Sequence, residues 1–120
     1  MPDKSLFWLG SSRNDLKGFP PDARRVAGFQ LRRVQQGLEP NDWKPMPAVG
    51  PGVREIRIHT ELEHRVFYVA KFMEGVYVLH AFKKRTRKTQ KRDLEVARDR
   101  FRALVMKRRT KQFHEEVASK

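Results

Sequence analysis

Three stretches of this chain, Val53 to His59, His64 to Phe72 and Val76 to Lys83, alternate with period two and are rich in Val, Ile, Phe and Tyr. Side chains of a strand point to opposite faces in turn, so the pattern predicts three strands, and their closeness in sequence predicts an antiparallel meander. Glu74-Gly75 reads as a two-residue hairpin turn, and Glu61-Leu62-Glu63 as a three-residue loop, although it lacks the glycine such loops commonly use. With those turns Lys71 pairs with Val78, Val69 with His80, Phe67 with Phe82 and Arg65 with Lys84, while His59 stands beside Arg65 and Arg57 beside Phe67. One face then carries Arg57, His59, Arg65, His80 and Lys84 around Phe67, Val69 and Phe82. The other gathers Ile56, Ile58, Val66, Tyr68, Ala70, Phe72, Tyr77, Leu79 and Ala81, a nearly uncharged surface that helices must cover. A slip of one residue would exchange the two sets.

The flanking segments supply those helices. Leu6 to Leu9 is a short apolar strand ended by Gly10, and Ser11 or Ser12 caps a helical turn from Arg13 to Lys17. Pro20, Pro21 and Asp22 open a helix whose apolar positions Ala27, Leu31, Val34 and Leu38 recur at helical spacing, and which must stop before Glu39-Pro40. Asn41 to Gly52, with its prolines and glycines, reads as an ordered loop around Trp43. Thr89 caps a last helix with Leu94, Ala97, Phe101, Leu104 and Val105 as its stripe, which fades after Met106 into Lys107-Arg108-Arg109. The expected fold is α+β: a small antiparallel sheet with N-terminal helices packed on one face and a C-terminal helix. Residues 1–106 form one domain and 107–120 a basic, frayed tail, since 120 residues support a single core.

Lys and Arg number 27 against 14 Asp and Glu, a net charge of +13. So large a surplus repels itself and points to an anionic partner, nucleic acid before an anionic membrane or an acidic protein. The apolar runs are short and broken by Lys71, His80 and Glu74-Gly75, so no membrane partner is expected, and Met1 to Ser5 shows no signal peptide. Cysteine is absent, which removes disulfides and thiolate chemistry and fits a cytoplasmic protein.

The motifs Val53-Arg54-Glu55-Ile56-Arg57-Ile58, Arg65-Val66-Phe67-Tyr68-Val69, Val78-Leu79-His80-Ala81-Phe82-Lys83-Lys84-Arg85-Thr86 and Arg92-Asp93-Leu94-Glu95-Val96-Ala97 occur in that order. In them the chain resembles phage-derived HigB-like toxins of the RelE and ParE superfamily, from about Leu6 to Leu104. The resemblance implies a RelE-like fold and a toxin of a type II toxin-antitoxin pair: an mRNA interferase that cuts message in the ribosomal A site, inhibits translation and is silenced by a cognate antitoxin. It maps the family's sheet arginines onto Arg57 and Arg65 and its basic pair onto Lys83 and Lys84. Some relatives use a tyrosine after the last strand; beyond Lys84 this chain has none.

Cleavage by the RNA 2′-hydroxyl needs a base, an acid for the 5′ oxygen and fixed positive charge for the phosphorane. Arg57 and Arg65 suit the charge role, because guanidinium stays protonated and grips phosphate as a fork. His80 or His59 suits proton transfer, and Lys84 does so if neighbouring cations lower its pKa. The catalytic set is therefore Arg57, Arg65, His80 and Lys84, with Lys83, Arg85, Arg87, Lys88, Lys91 and Arg92 as RNA contacts and no metal or other cofactor. His80 has the alternative of a hydrogen-bonded core histidine, and Arg85 to Arg92 that of a solvated linker. His59 and His64 read as surface residues, Tyr68 and Tyr77 as packing residues, Trp8 and Trp43 as core and loop anchors. Arg57 has the alternative of an ion pair with Glu55 or Glu61. Two other functions fit the same chain: a ParE-like inhibitor of DNA gyrase, and a non-catalytic RNA-binding module.

Overall fold

The computed structural model describes the backbone of residues 3–118 and the side chains of residues 3–112. Strand β1 (Ser5–Trp8) leads into helices α1 (Ser12–Lys17) and α2 (Pro21–Gln35). After them come the edge strand β2 (Trp43–Pro45), the meander β3 (Val53–His59), β4 (Glu63–Val69) and β5 (Gly75–Lys83), and the long helix α3 (Lys91–Ala118). The sheet order is β1-β5-β4-β3-β2, with β1 parallel to β5 and the other neighbours antiparallel. The expected α+β fold is thus present, and what the reading took as a loop around Trp43 contributes a further strand on β3.

Helix α2 starts where proline costs nothing, with Pro20 at its cap, Pro21 first in the helix, and the Asp22 carboxylate accepting from the Ala23 N–H at 2.8 Å. Its end lies earlier than the Glu39-Pro40 stop. Gly37 takes φ of 83°, its N–H donates to Val34 C=O, and Leu38 N–H donates to Arg33 C=O, which satisfies the last carbonyls in a left-handed cap that glycine adopts without strain. Leu38 is consequently outside the helix and half exposed.

Both sheet faces are covered. On one, Leu16 and Phe19 together with Ala23, Ala27, Leu31 and Val34 of α2 pack on Ile56, Ile58, Val66, Tyr68, Val76 and Val78. On the other, Ala97, Phe101 and Leu104 of α3 pack on Val53, Phe67, Val69, Leu79 and Phe82. A fully buried side chain of this size contributes about 1.5–3 kcal/mol, so α3 is held as firmly as α2.

The expected register needs correction at both hairpins. Arg57 faces Arg65, and His59 faces Glu63, across β3 and β4. Arg65 faces Phe82, and Phe67 faces His80, across β4 and β5. These pairs lie two residues from the expected ones, and a shift by two keeps every side chain on its face. Nearer the turn a bulge intervenes: Phe67 pairs with His80 but Tyr68 with Val78, leaving Leu79 as the extra residue. The bulge puts Val76 and Val78 on the α2 side and sends Tyr77 and Leu79 to the α3 side, the reverse of the expected assignment. Gly75 is not half of a two-residue turn. It opens β5, where a Cβ would lie 2.6 Å from Ser5 C=O, so the close approach of β1 is what demands glycine there.

Helix α3 continues through Ala118, beyond Met106 where the apolar stripe ends. Its flank is clipped to the β4–β5 hairpin by Arg108, which donates to Glu74 at 2.7 Å and lies 3.8 Å from the Phe72 ring. The Arg108 guanidinium holds the Glu74 carboxyl down to about 2. Of the expected basic tail, residues 119 and 120 lie outside the described residues.

Candidate functional site

Beyond the reach of α3, the far ends of β3, β4 and β5 bring cations together. Arg57 and Arg65 are direct cross-strand partners, and the Lys84 N–H donates to Glu63 C=O at 2.8 Å, which sets Lys84 beside them. Lys44 joins from β2, opposite Glu55 on β3. Burial pushes the Lys84 amine below the ordinary lysine value, and the positive charges of Arg65, Lys44 and Arg57 push it the same way, while Glu55 opposes.

Glu55 is the anchor of this cluster. Its side chain is fully buried, neither carboxylate oxygen accepts a hydrogen bond among the described residues, and it pairs with Lys44 Nζ and Arg65 Nε, each 3.7 Å from Oε1. A desolvated carboxylate persists at such a place only where cations surround it. Arg65 is itself only 3% exposed; its Nη1 donates to His64 C=O at 2.9 Å and lies 2.9 Å from Glu63 Oε1. It is locked in place. Arg57 is half buried, enters no ion pair among the described residues, and leaves Nε without a hydrogen-bond partner. The expected pairing of Arg57 with Glu55 or Glu61 as its alternative reading is not formed.

His59 closes the outer edge. Its Nδ1 meets both oxygens of Glu63 at 2.7 and 2.8 Å, and its Nε2 meets Asp42 Oδ2 at 2.6 Å. Hydrogen bonding to Glu63 and then to Asp42 raises its pKa above the ordinary histidine value, so the imidazolium bolts the start of β2 to the β3–β4 turn. His59 is exposed, as expected, but His64 is not: it is 2% exposed, its ring 4.3 Å from that of Phe19.

His80 lies elsewhere. Its Nε2 is 2.8 Å from Asp93 Oδ1 in the first turn of α3, its Nδ1 is buried without a partner, and its ring stacks on Phe82 at 4.9 Å. The charges around it are those of Asp93, Arg100 and Asp15, whereas Lys84 senses Arg65, Glu55, Lys44 and Arg57. Phe82 stands between them on the strand. The structure therefore brings together Arg57, Arg65 and Lys84 and leaves His80 in a second environment, where burial lowers its pKa although Asp93 works against that.

The two histidines titrate in opposite senses. His59, with its folded pKa raised, contributes stability that is complete below 6.5 and fades as pH climbs through the folded value. His80, with its folded pKa lowered, contributes stability that is complete above 6.5 and fades as pH falls below it. Histidine Cε1–H titration by NMR should place the His59 midpoint above 6.5 and the His80 midpoint below it, and that of His59 should fall back in an Asp42→Asn/Glu63→Gln variant. An unchanged His59 midpoint in that variant would remove the clasp.

Among the remaining expected contacts, Lys83 points to the face opposite Lys84, where it pairs in register with His64. Arg85, Arg87 and Lys88 are exposed in the linker, Arg92 is exposed at the start of α3, and Lys91 lies 3.7 Å from Glu95. Glu55 gave no clear signal in sequence, because it stands among Arg54, Arg57 and His59 on β3 and its parity alone does not mark it as buried. Lys44 gave none either, because its place depends on the β2–β3 pairing. Asp93 carried only the signature of a helix first turn.

No helix among the described residues is long and apolar enough to cross a membrane. No curated protein matches the sequence. A family model, the phage-derived protein Gp49-like family (DUF891), matches residues 14–102, from α1 through the packed half of α3 and across every member of the cationic cluster. The chain belongs to this Gp49-like family, a family of RelE-like toxins.

Proposed function

We propose that the protein is the toxin of a toxin-antitoxin pair and acts as a metal-independent endoribonuclease on messenger RNA, on the ribosome, until its cognate antitoxin binds. The observation that carries this reading is the cationic cluster itself: Arg57 and Arg65 are direct cross-strand partners, and Lys84 stands beside them with its pKa lowered by burial and by Arg65. The unprotonated form of the Lys84 amine, which burial and the neighbouring cations favour, takes the proton of the attacking 2′-hydroxyl. The 2′-oxygen bonds to phosphorus, the bond from phosphorus to the 5′ oxygen breaks, and that oxygen leaves with a proton from water. Arg57, free of ion pairs, grips the non-bridging oxygens, and Arg65, held by Glu63 and Glu55, fixes the local field. His80 is assigned no proton transfer, because its free nitrogen is enclosed and it faces a different set of charges.

In vitro translation followed by primer extension tests the reading. Discrete cuts at codon boundaries, dependent on Lys84, are expected. Intact message together with inhibited supercoiling by gyrase, or intact message with RNA merely bound, would overturn it.

A further inference from the structure

A groove of about 980 Å³ lies between α1 with its following turn and the first turns of α3, floored by the end of β5. Lys83, the residue next to Lys84, is among its lining residues, so a strand leaving the cationic cluster around the end of β5 reaches it. We propose that this groove is a nucleotide subsite, which takes one unstacked nucleotide of single-stranded RNA adjacent to the cleaved linkage and discriminates its base. The proposal rests on the nuclease reading for the position of the linkage and adds a specificity element to it.

Three observations support the assignment. Lys83, Arg85 and Arg92 line the groove and are exposed, and none enters an ion pair among the described residues, so three positive charges stand ready for phosphate. Of the other titratable liners, Asp15, His80, Asp93 and Arg100 are already bonded, and His64 is buried. His80 is bound to Asp93, Ser11 donates to Asp15 at 2.7 Å, and Arg100 donates to Leu79 C=O at 2.9 Å and to Ser11 Oγ at 3.1 Å. These bonds make a fixed wall. Two exposed side-chain amides, Asn14 from α1 and Gln90 before α3, face the groove from opposite sides without a partner among the described residues, whereas the unpartnered Nδ1 atoms of His64 and His80 are buried. An amide offers a donor and an acceptor side by side, the pair that reads a base edge.

The shape limits the ligand further. The groove falls at the upper end of the range of ~300–1,000 Å³ for small-ligand sites, enough for one nucleotide. Its phenylalanines, Phe19 and Phe82, are each less than a tenth exposed, so they offer edges and not broad faces, and Pro20, Leu62 and Val96 add to the apolar lining. Base recognition here depends on hydrogen bonds to the base edge, which requires a base turned out of its stack. An acidic peptide would meet the cations but has no need of the paired amides.

The test uses the full chain and four fluorescein-labelled, 2′-deoxy homotetranucleotides, which cannot be cleaved, with affinity read by fluorescence anisotropy at fixed salt. The four probes should span about 10-fold in affinity, the discrimination that one good amide–base pair supplies. An Asn14→Ala/Gln90→Ala variant should compress that spread to within about 2-fold, whereas Arg85→Gln/Arg92→Gln should weaken all four alike. Because all four side chains are exposed, thermal melting followed by circular dichroism should not change. Equal binding of the four probes by the unaltered protein, discrimination that survives the amide variant, or affinity indifferent to the arginine variant would each overturn the proposal. A protein that discriminates bases but cuts no message sinks the nuclease reading and spares the groove. One that cuts message while binding all four alike sinks the groove alone.

Discussion

Replacing Lys84 by Met should lower kcat on ribosome-bound message about 10²–10⁴-fold, the range a positioned general base supplies, without changing Tm. The informative companion is Lys84→Arg. Guanidinium keeps the charge but cannot give up its proton near neutral pH, so a lysine acting as base makes Arg as inactive as Met, whereas a lysine that only neutralises phosphate leaves Arg nearly active. Single-turnover cleavage followed by primer extension separates the two outcomes. Retained cleavage in Lys84→Arg would dismiss proton transfer at this position while leaving the cationic site intact. Arg57→Gln is the natural control, since it removes a phosphate grip from the same face and leaves the lysine in place.

Glu55→Gln should destabilise the fold by about 3 kcal/mol, the lower end of the cost of leaving one member of a buried pair uncompensated. The lower end applies because Arg65 keeps its contact with Glu63 at 2.9 Å when Glu55 is neutralised. Adding Arg65→Met should recover most of the loss, because the stranded charge goes with it; urea unfolding of the single and double variants measures both. The same substitution carries a kinetic signature that a purely structural carboxylate would not. Glu55 raises the Lys84 pKa, so its removal lowers that pKa further and should move the acid limb of the kcat/KM profile to lower pH. An acid limb that stays fixed in a folded Glu55→Gln protein would separate Glu55 from the chemistry.

Most of the architecture could be read from alternation and helix punctuation. The meander, the stripe of α2 and the stripe of α3 each express a periodicity that burial enforces, and they appear where the pattern puts them. The registers were less legible, since turn residues at Glu61 to Glu63 and at Glu74-Gly75 were asked to fix them and the actual loops differ. That error left the cationic face intact only because both shifts are even. The bulge at Leu79 left no mark in the sequence: Val76 to Phe82 alternates smoothly, and the reversal of Tyr77 arises from pairing against β4. At the site, Arg57, Arg65 and Lys84 were within reach of period-two reasoning because they share strands whose other face is apolar. His80 passed the same parity test and still belongs to another environment, since parity says nothing about distance along a strand or about what α3 brings to it. Lys44, Asp42 and Asp93 come from segments distant in sequence, and only the tertiary fold places them.

Strand β5 occupies the middle of the sheet between β1 and β4, although it is the last strand to be synthesised. Ser5 therefore has no ladder partner until Gly75 has left the exit tunnel, and such distant closures are slow compared with local hairpins. Lys84 emerges later still. A nascent chain accordingly carries no assembled cationic cluster until Lys84 has cleared the tunnel, however early its first strand and helices form.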